Sequence, residues 1–322
     1  MLISTNPYVS IYHINHPISC INCKNRLLKR SDYISQKATL NKFKLDEPWV
    51  ILNEIENSIK NKIETYGTPL KEWKNIIINR GVLTGCNEAF IINDQTRQNI
   101  LDNCLSQDEM KKTDELIRPV LRGKDIKRLS YTWSNLFLIT TYPVKNIDIE
   151  NYPSIKDYLQ SADWSNTIPH SYGKLRLEQT GKTHLINGIK IQARKQTGNK
   201  WFETQDQIAY MDEFDKHKIV FPAIMKEGAF FSMNYDKSIV IAPGNIITGE
   251  NLEKLLLVLT SVGYFALRKY YMGGGIEGEL KVNRLLMLPV PTRINEIKNE
   301  DEIYDLYDFN SDEKAFIKAF LR

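Results

Sequence analysis

The residues best suited to chemistry fall in two basic runs punctuated by glycine. In Ile117-Arg118-Pro119-Val120-Leu121-Arg122-Gly123-Lys124-Asp125-Ile126-Lys127-Arg128, five cations and one acid surround a single glycine. Such a loop offers several phosphate contacts at once, with Arg122, Lys124, Lys127 and Arg128 as the candidates. The competing reading is a solvated surface turn. Arg194-Lys195-Gln196-Thr197-Gly198-Asn199-Lys200-Trp201-Phe202-Glu203 mixes cations and amides with two aromatics. Arg194, Gln196, Asn199 and Lys200 are side chains of the kind that reach base edges and backbone; the alternative is a hairpin whose aromatics are core. Thr84, Gly85 and Asn87 in an earlier loop, and Lys281 and Arg284 after Gly273-Gly274-Gly275, add small or polar positions able to lie against a backbone.

Other chemistries find less support. Glu72-x-Lys74 with the upstream Asp46 imitates a metal-dependent nuclease, but short acid-x-lysine triplets recur by chance, and Asp46 is also suited to capping a helix. His13, His16, Cys20 and Cys23 are zinc-competent in type, but all four fall in one short segment, whereas structural zinc sites set two ligand pairs apart by a longer loop. The chain has no G-x-S-x-G elbow, no G-x-x-x-x-G-K-S/T loop and no H-E-x-x-H helix. The triple glycine follows a predicted helix rather than a strand, so it reads as a helix stop.

These residues need elements to hold them. Alternation over residues 8–14 predicts a short strand. Asp46, Glu47 and Pro48, followed by Leu52, Ile55, Ile59, Ile63 and Tyr66, predict a helix ended by Gly67. Ile76-Ile77-Ile78, the loop 81–87, and Ala89-Phe90-Ile91-Ile92 read as strand, loop and strand. Further strands are expected over 136–141, 219–224 and 239–241, loops and hairpins over 161–207, a helix from about 251 to 272, and a C-terminal helix capped by Ser311.

Composition bounds the class. Of 322 residues, 42% are hydrophobic and 25% charged, ordinary values for a folded chain of roughly two domains. The net charge of +4 is far from that of a polybasic binder, so any affinity for nucleic acid must come from local patches. No secretory signal and no membrane span are indicated, and four cysteines do not make a disulfide scaffold. A cytoplasmic location is expected, with no membrane partner.

Taken in order, several of these segments resemble the C-terminal target recognition domain of the TaqI-like and Eco57I-like adenine-specific DNA methyltransferases, many of them fused type IIG restriction enzymes. The matching pieces are residues 81–92, residues 116–128 with their Leu-Arg-Gly-Lys-Asp-Ile core, Thr197 to Glu203, Lys218-Ile219-Val220-Phe221-Pro222, the helix end from Gly263 to Gly275, and Leu288-Pro289-Val290-Pro291. The N-P-P-Y/F motif and the S-adenosylmethionine loop of that family's catalytic module are absent, and no nuclease motif is recognisable.

The resemblance implies an α+β fold with mixed or antiparallel sheets, loops for DNA contact and flanking helices, among them a long helix near 49–66 and another near 251–272. It implies three segments: an N-terminal strand and hairpin over 1–48, with a remnant of a methyltransferase module as one reading, a target recognition domain over 49–292, and a helical tail over 293–322. The expected role is sequence-specific recognition of double-stranded DNA for adenine methylation or cleavage by a module in cis or in trans. S-adenosylmethionine and Mg are then expected only in that missing module, with no catalytic residue, cofactor or metal on this chain. A stand-alone specificity subunit similar to those of type I systems, and a divergent metal-dependent nuclease, are the alternatives.

Overall fold

A computed structural model describes residues 52–226, 228–272 and 277–321, together with the strand backbone of residues 10–14 and 38–42. The chain divides into two compact units, Met1–Lys74 with Leu257–Arg322, and Asn75–Leu256. The class is α+β, as expected.

The first unit opens with the antiparallel strands β1 (Ser10–Ile14) and β2 (Ala38–Lys42). Helix α1 (Glu54–Tyr66) follows and buries Ile59 and Ile63, four residues apart and so on one face. Its N-cap is Asn53, whose side chain accepts from Glu56 N while the Glu56 carboxylate accepts from Asn53 N, a reciprocal capping box. The helix therefore starts later than the sequence pattern suggests, and Asp46 and Pro48 lie outside the described residues. Gly67 ends the helix and begins strand β3 (Gly67–Pro69).

The second unit begins with β4 (Ile76–Arg80). Ala89 and Phe90, expected in a strand, instead belong to a helical turn, α2 (Asn87–Phe90), because both amides donate to Cys86 O, and extended backbone resumes only in β5 (Ile91–Asn93). Helices α3 (Asp94–Asp102) and α4 (Gln107–Leu116), capped by Asn93 and Ser106, lead into β6 (Ile117–Leu121). Next come the short hairpin β7 (Ile126–Lys127) and β8 (Ser130–Tyr131), strand β9 (Leu136–Ile139), helices α5 (Pro153–Ser161) and α6 (Gly173–Leu177), and the ribbon β10 (Thr183–Ile186) with β11 (Ile189–Gln192). The unit continues with β12 (Lys218–Pro222), β13 (Ser232–Asn234), β14 (Ile239–Val240) and β15 (Gly244–Gly249).

Two four-stranded sheets form this unit's frame. One is antiparallel in the order β13-β12-β15-β4; the other, β14-β6-β9-β5, is mixed, with β14 parallel to β6. One hydrophobic core draws on both, through Val220 and Ile246 from the first and Val120, Leu138 and Val240 from the second. Ile117, Val120 and Leu121 of β6 and Ile239 and Val240 of β14 are buried within this core, and the basic loop after β6 is thereby fixed at its root.

The helix expected near 251–272 is present as successive segments. Helix α7 (Leu252–Leu259) is followed by Ser261, with φ −129° and ψ −114°, and then by α8 (Val262–Ala266), which passes into a π-helical turn, Leu267–Tyr271. Ser261 explains the interruption, because its side chain bonds back to Leu257 O at 2.6 Å. The first unit then adds α9 (Val282–Leu285), β16 (Pro289–Pro291) paired antiparallel with β3, α10 (Glu300–Leu306) and α11 (Ser311–Leu321). The cap of α11 is Asn310 rather than Ser311: Asn310 Oδ1 accepts from Glu313 N, and Glu313 returns the bond. Among the described residues no helix is long and apolar enough to cross a membrane.

Candidate nucleic-acid interface

The basic loop after β6 is built on a buried carboxylate. Asp125, 6% exposed, accepts from Arg122 N at 2.8 Å, Arg122 Nε at 3.0 Å and Arg122 Nη2 at 2.8 Å. Ser134 Oγ accepts from Arg122 Nη2 and donates to Asp125 Oδ1. Burial alone would raise the Asp125 carboxyl, but the hydrogen bonds from Arg122 and Ser134 outweigh it and hold the group below the usual carboxylate range. The same contact raises Arg122. Arg122 is thus largely a structural partner, and the exposed cations of the run are Lys124, Lys127 and Arg128.

The loop forms one wall of a groove of about 530 Å³. Its other walls are Asn87 from the helical turn α2, Ile224, Lys226 and Phe230 from the segment between β12 and β13, and Ile241-Ala242-Pro243 before β15. Gly123 lies against Pro222, where an added Cβ would stand 3.2 Å from the proline Cβ. Lys127 Nζ sits 5.3 Å from the centre of the Phe230 ring, so the ring faces a cation rather than core. Among the described residues no carboxylate lines the groove. A larger hollow of about 590 Å³ lies elsewhere in this unit, but Asp157 and Asp163 line it and, among the described residues, no cation does, so it does not suit a polyanion.

The structure brings four of the candidate residues together here: Asn87, Arg122, Lys124 and Lys127. Arg128 lies in the exposed turn between β7 and β8. Thr84 is fully buried beneath the groove wall, where its hydroxyl donates to Asn87 Oδ1 at 2.7 Å and accepts from Cys86 N. Gly85 holds φ at +75°, and a Cβ there would lie 2.7 Å from Gln205 Oε1, so this loop requires glycine for its own packing.

The second basic run behaves differently, and two of its candidates are corrected. Arg194 is 2% exposed and unable to reach a base. Its guanidinium donates to three backbone carbonyls, Leu177 O at 2.9 Å, Thr84 O at 2.7 Å and Trp201 O at 2.7 Å, with the Phe90 ring beneath it at 5.2 Å. Burial pushes it down to about 10, which leaves it charged at neutral pH. Asn199 is also committed internally: its amide nitrogen donates to Thr204 O and Gln205 O, and its oxygen accepts from Gln207. Lys200 is exposed and donates to Ile147 O at 3.1 Å, and Gln196 is exposed. Lys281 and Arg284 lie in the other unit, Lys281 beside Glu279 at 3.7 Å.

The sequence reading missed Ile224, Lys226 and Phe230. A signal was there: Lys226, Gly228, Phe230 and Phe231 repeat the cation, glycine and aromatic mixture of Lys195, Gly198, Trp201 and Phe202. Of the alternative sites, Glu72 is exposed at the end of a 3₁₀ turn, Asp46 lies outside the described residues, and so do the side chains of His13, His16, Cys20 and Cys23. Among the described residues no group of three or more His, Cys, Asp or Glu side chains is placed to hold a metal ion.

No protein-family profile and no curated protein matches the chain. Among solved structures it is similar to the type IIG restriction endonuclease BpuSI, at 15% identity and a TM-score of 0.44, over 79% of this chain and 28% of that one. It is also similar to the type IIL restriction-modification enzyme MmeI in complex with DNA, at 10% identity and a TM-score of 0.37, over 88% of this chain and 30% of that one. The chain spans less than a third of the length of either.

Proposed function

We propose that this chain is a sequence-specific recognition module for double-stranded DNA, serving a type IIG-like restriction-modification enzyme. The observation that carries the reading is the groove itself. Lys124, Lys127 and Lys226 rim a floor of Pro222, Ile224 and Phe230 with no carboxylate among the described lining residues. Exposed cations give a phosphate backbone the contacts that fix its register, and apolar and amide groups between them meet sugars and bases. The ordered resemblance to a target recognition domain supports the same reading from the sequence.

On this reading the chain holds and reads the duplex, while methylation or cleavage belongs to a further module in cis or in trans. S-adenosylmethionine and Mg would be bound there, and the target adenine flipped there. Selection of the purified chain against a randomised duplex library, at low and at moderate salt, tests the proposal. Enrichment of a short asymmetric motif is expected. No retention at either salt would overturn it in favour of a protein-interaction subunit.

A further inference from the structure

The ribbon β10–β11 is absent from the groove and from the candidate residues read in the sequence. Its register pairs Thr183 with Gln192, His184 with Ile191, Leu185 with Lys190 and Ile186 with Ile189. Asn187 and Gly188, at φ of +49° and +81°, close it with a two-residue turn whose twist matches that of the strands. Among the described residues it pairs with no other strand. A lone hairpin is marginal in water, so something must hold it.

It is held at its base. Ala193 N donates to Lys182 O, Gly181 N donates to Arg194 O, and the buried Arg194 guanidinium ties the segment to three separate carbonyls. One of them, Thr84 O, belongs to the residue whose hydroxyl also fixes Asn87 in the groove wall. The ribbon's base and the groove thus share a support. Because side chains alternate along a strand, the ribbon has two faces, the inner one buried at its base and open at Ile189 beside the turn. Ile191 is fully buried on the inner face, and His184 on that face pairs with Glu178 at 3.1 Å. The other face presents Thr183, Leu185, Lys190 and Gln192, all exposed, with Leu185 at 67%.

Charge says what this face meets. From Glu178 to Glu203 the chain contains no other acid, while Lys182, Lys190 and Lys195 are exposed. Leu185, left bare opposite Lys190 in a stretch of chain without acids, suits a polyanion with an apolar feature between its charges. Duplex DNA has that character, because its major groove admits a two-stranded ribbon and displays thymine methyl groups and base acceptors between two phosphate rails.

We propose that the outer face of β10–β11 enters the major groove of the duplex bound by this chain, with Leu185 and Lys190 as specificity-determining residues. The proposal rests on the DNA-recognition reading above. Its test is library selection by the parent chain and by L185S and K190A, followed by titration of each with the selected duplex and with an unrelated one. Both side chains are exposed, so thermal midpoints should stay within about 2 °C of the parent. The expected result is a parent motif that loses preference at one or two adjacent base pairs in each variant. Binding to the selected duplex should fall about tenfold, and binding to the unrelated duplex less than about threefold. An unchanged motif and affinity in both variants would remove the ribbon while leaving DNA recognition standing. Equal losses on both duplexes would make the face a phosphate contact and overturn its role in reading. Failure of the parent to bind any duplex would overturn the DNA reading itself, and the ribbon's role with it.

Discussion

The loop after β6 and the segment from Arg194 to Glu203 are close in composition, each mixing cations with a glycine, yet the fold uses them in opposite ways. In the first, the buried acid Asp125 holds Arg122 and leaves Lys124 and Lys127 exposed on a groove. In the second, the arginine is itself the buried element, and the groups around it are the carbonyl at the end of α6 and two loop carbonyls. Lys218 repeats the second pattern: fully buried, it donates to Phe214 O and Asp236 O, both at 2.8 Å. What decides whether a cation reads a ligand or braces a scaffold is which backbone acceptors lack a donor, because an unpaired buried carbonyl costs about 1–3 kcal/mol.

Arg194 is where the two regions should differ most. Replacing it with Ala strands three carbonyls and empties a packed site, so an unfolding free energy lower by about 3–5 kcal/mol is expected by denaturant titration. Arg194→Lys should recover only part, because one ammonium on a flexible stem cannot reproduce the planar fork. Stability close to the parent in Arg194→Ala would erase the distinction between the two regions.

Lys218 sharpens it through pH. Burial pushes its ammonium down to about 8, against the opposing pull of Asp236. Below that value the folded and unfolded chains both hold the proton, and the cost of burying the charge is present in full. Between about 8 and the ordinary lysine value near 10.5 the unfolded chain binds the proton more strongly, so stability rises with pH over that window. Unfolding measured from pH 7 to 10.5 should therefore show the parent gaining on Lys218→Met by up to about 3 kcal/mol. A constant difference across the range would mean that Lys218 does not titrate as a buried charge.

These two residues also mark where the sequence is legible. The α+β class and the strands over 76–80, 136–139 and 218–222 follow from local apolar patterning, and the last two bury most of the residues that define them, whereas the isoleucines of 76–78 are half-buried or exposed. The cations from Arg122 to Lys127 are equally visible, being clustered and local. Arg194 was misread because its partners, Leu177, Thr84 and Trp201, are backbone groups scattered along the chain, and no side-chain pattern reports them. Phe230 and Lys226 were missed because another strand connection delivers them to the groove. The ribbon falls within the loops and hairpins expected over 161–207, and Asn187-Gly188 is a strong local signal for its turn, but none of its residues is among the candidates. Asn53 and Asn310 fix the starts of two helices, the latter in place of Ser311, because each completes a reciprocal bond with a glutamate.

The smallest expected effect falls on the groove, and it completes the contrast. Lys124 and Lys127 are exposed, so Lys124→Ala with Lys127→Ala should leave the unfolding free energy within about 0.5 kcal/mol of the parent, where Arg194→Ala loses several. On the proposed reading the pair acts on DNA instead. Two lost phosphate contacts should weaken binding to every duplex alike, by about tenfold at low salt. The slope of log affinity against log salt should become shallower by about 1.8, at roughly 0.9 for each phosphate. A shallower slope with an unchanged selected motif would identify the loop as positioning rather than reading, the division of labour expected if base contacts come from elsewhere on the same unit. Unchanged affinity and slope would take the loop out of the interface, leaving Asp125 and Arg122 as a brace like Arg194.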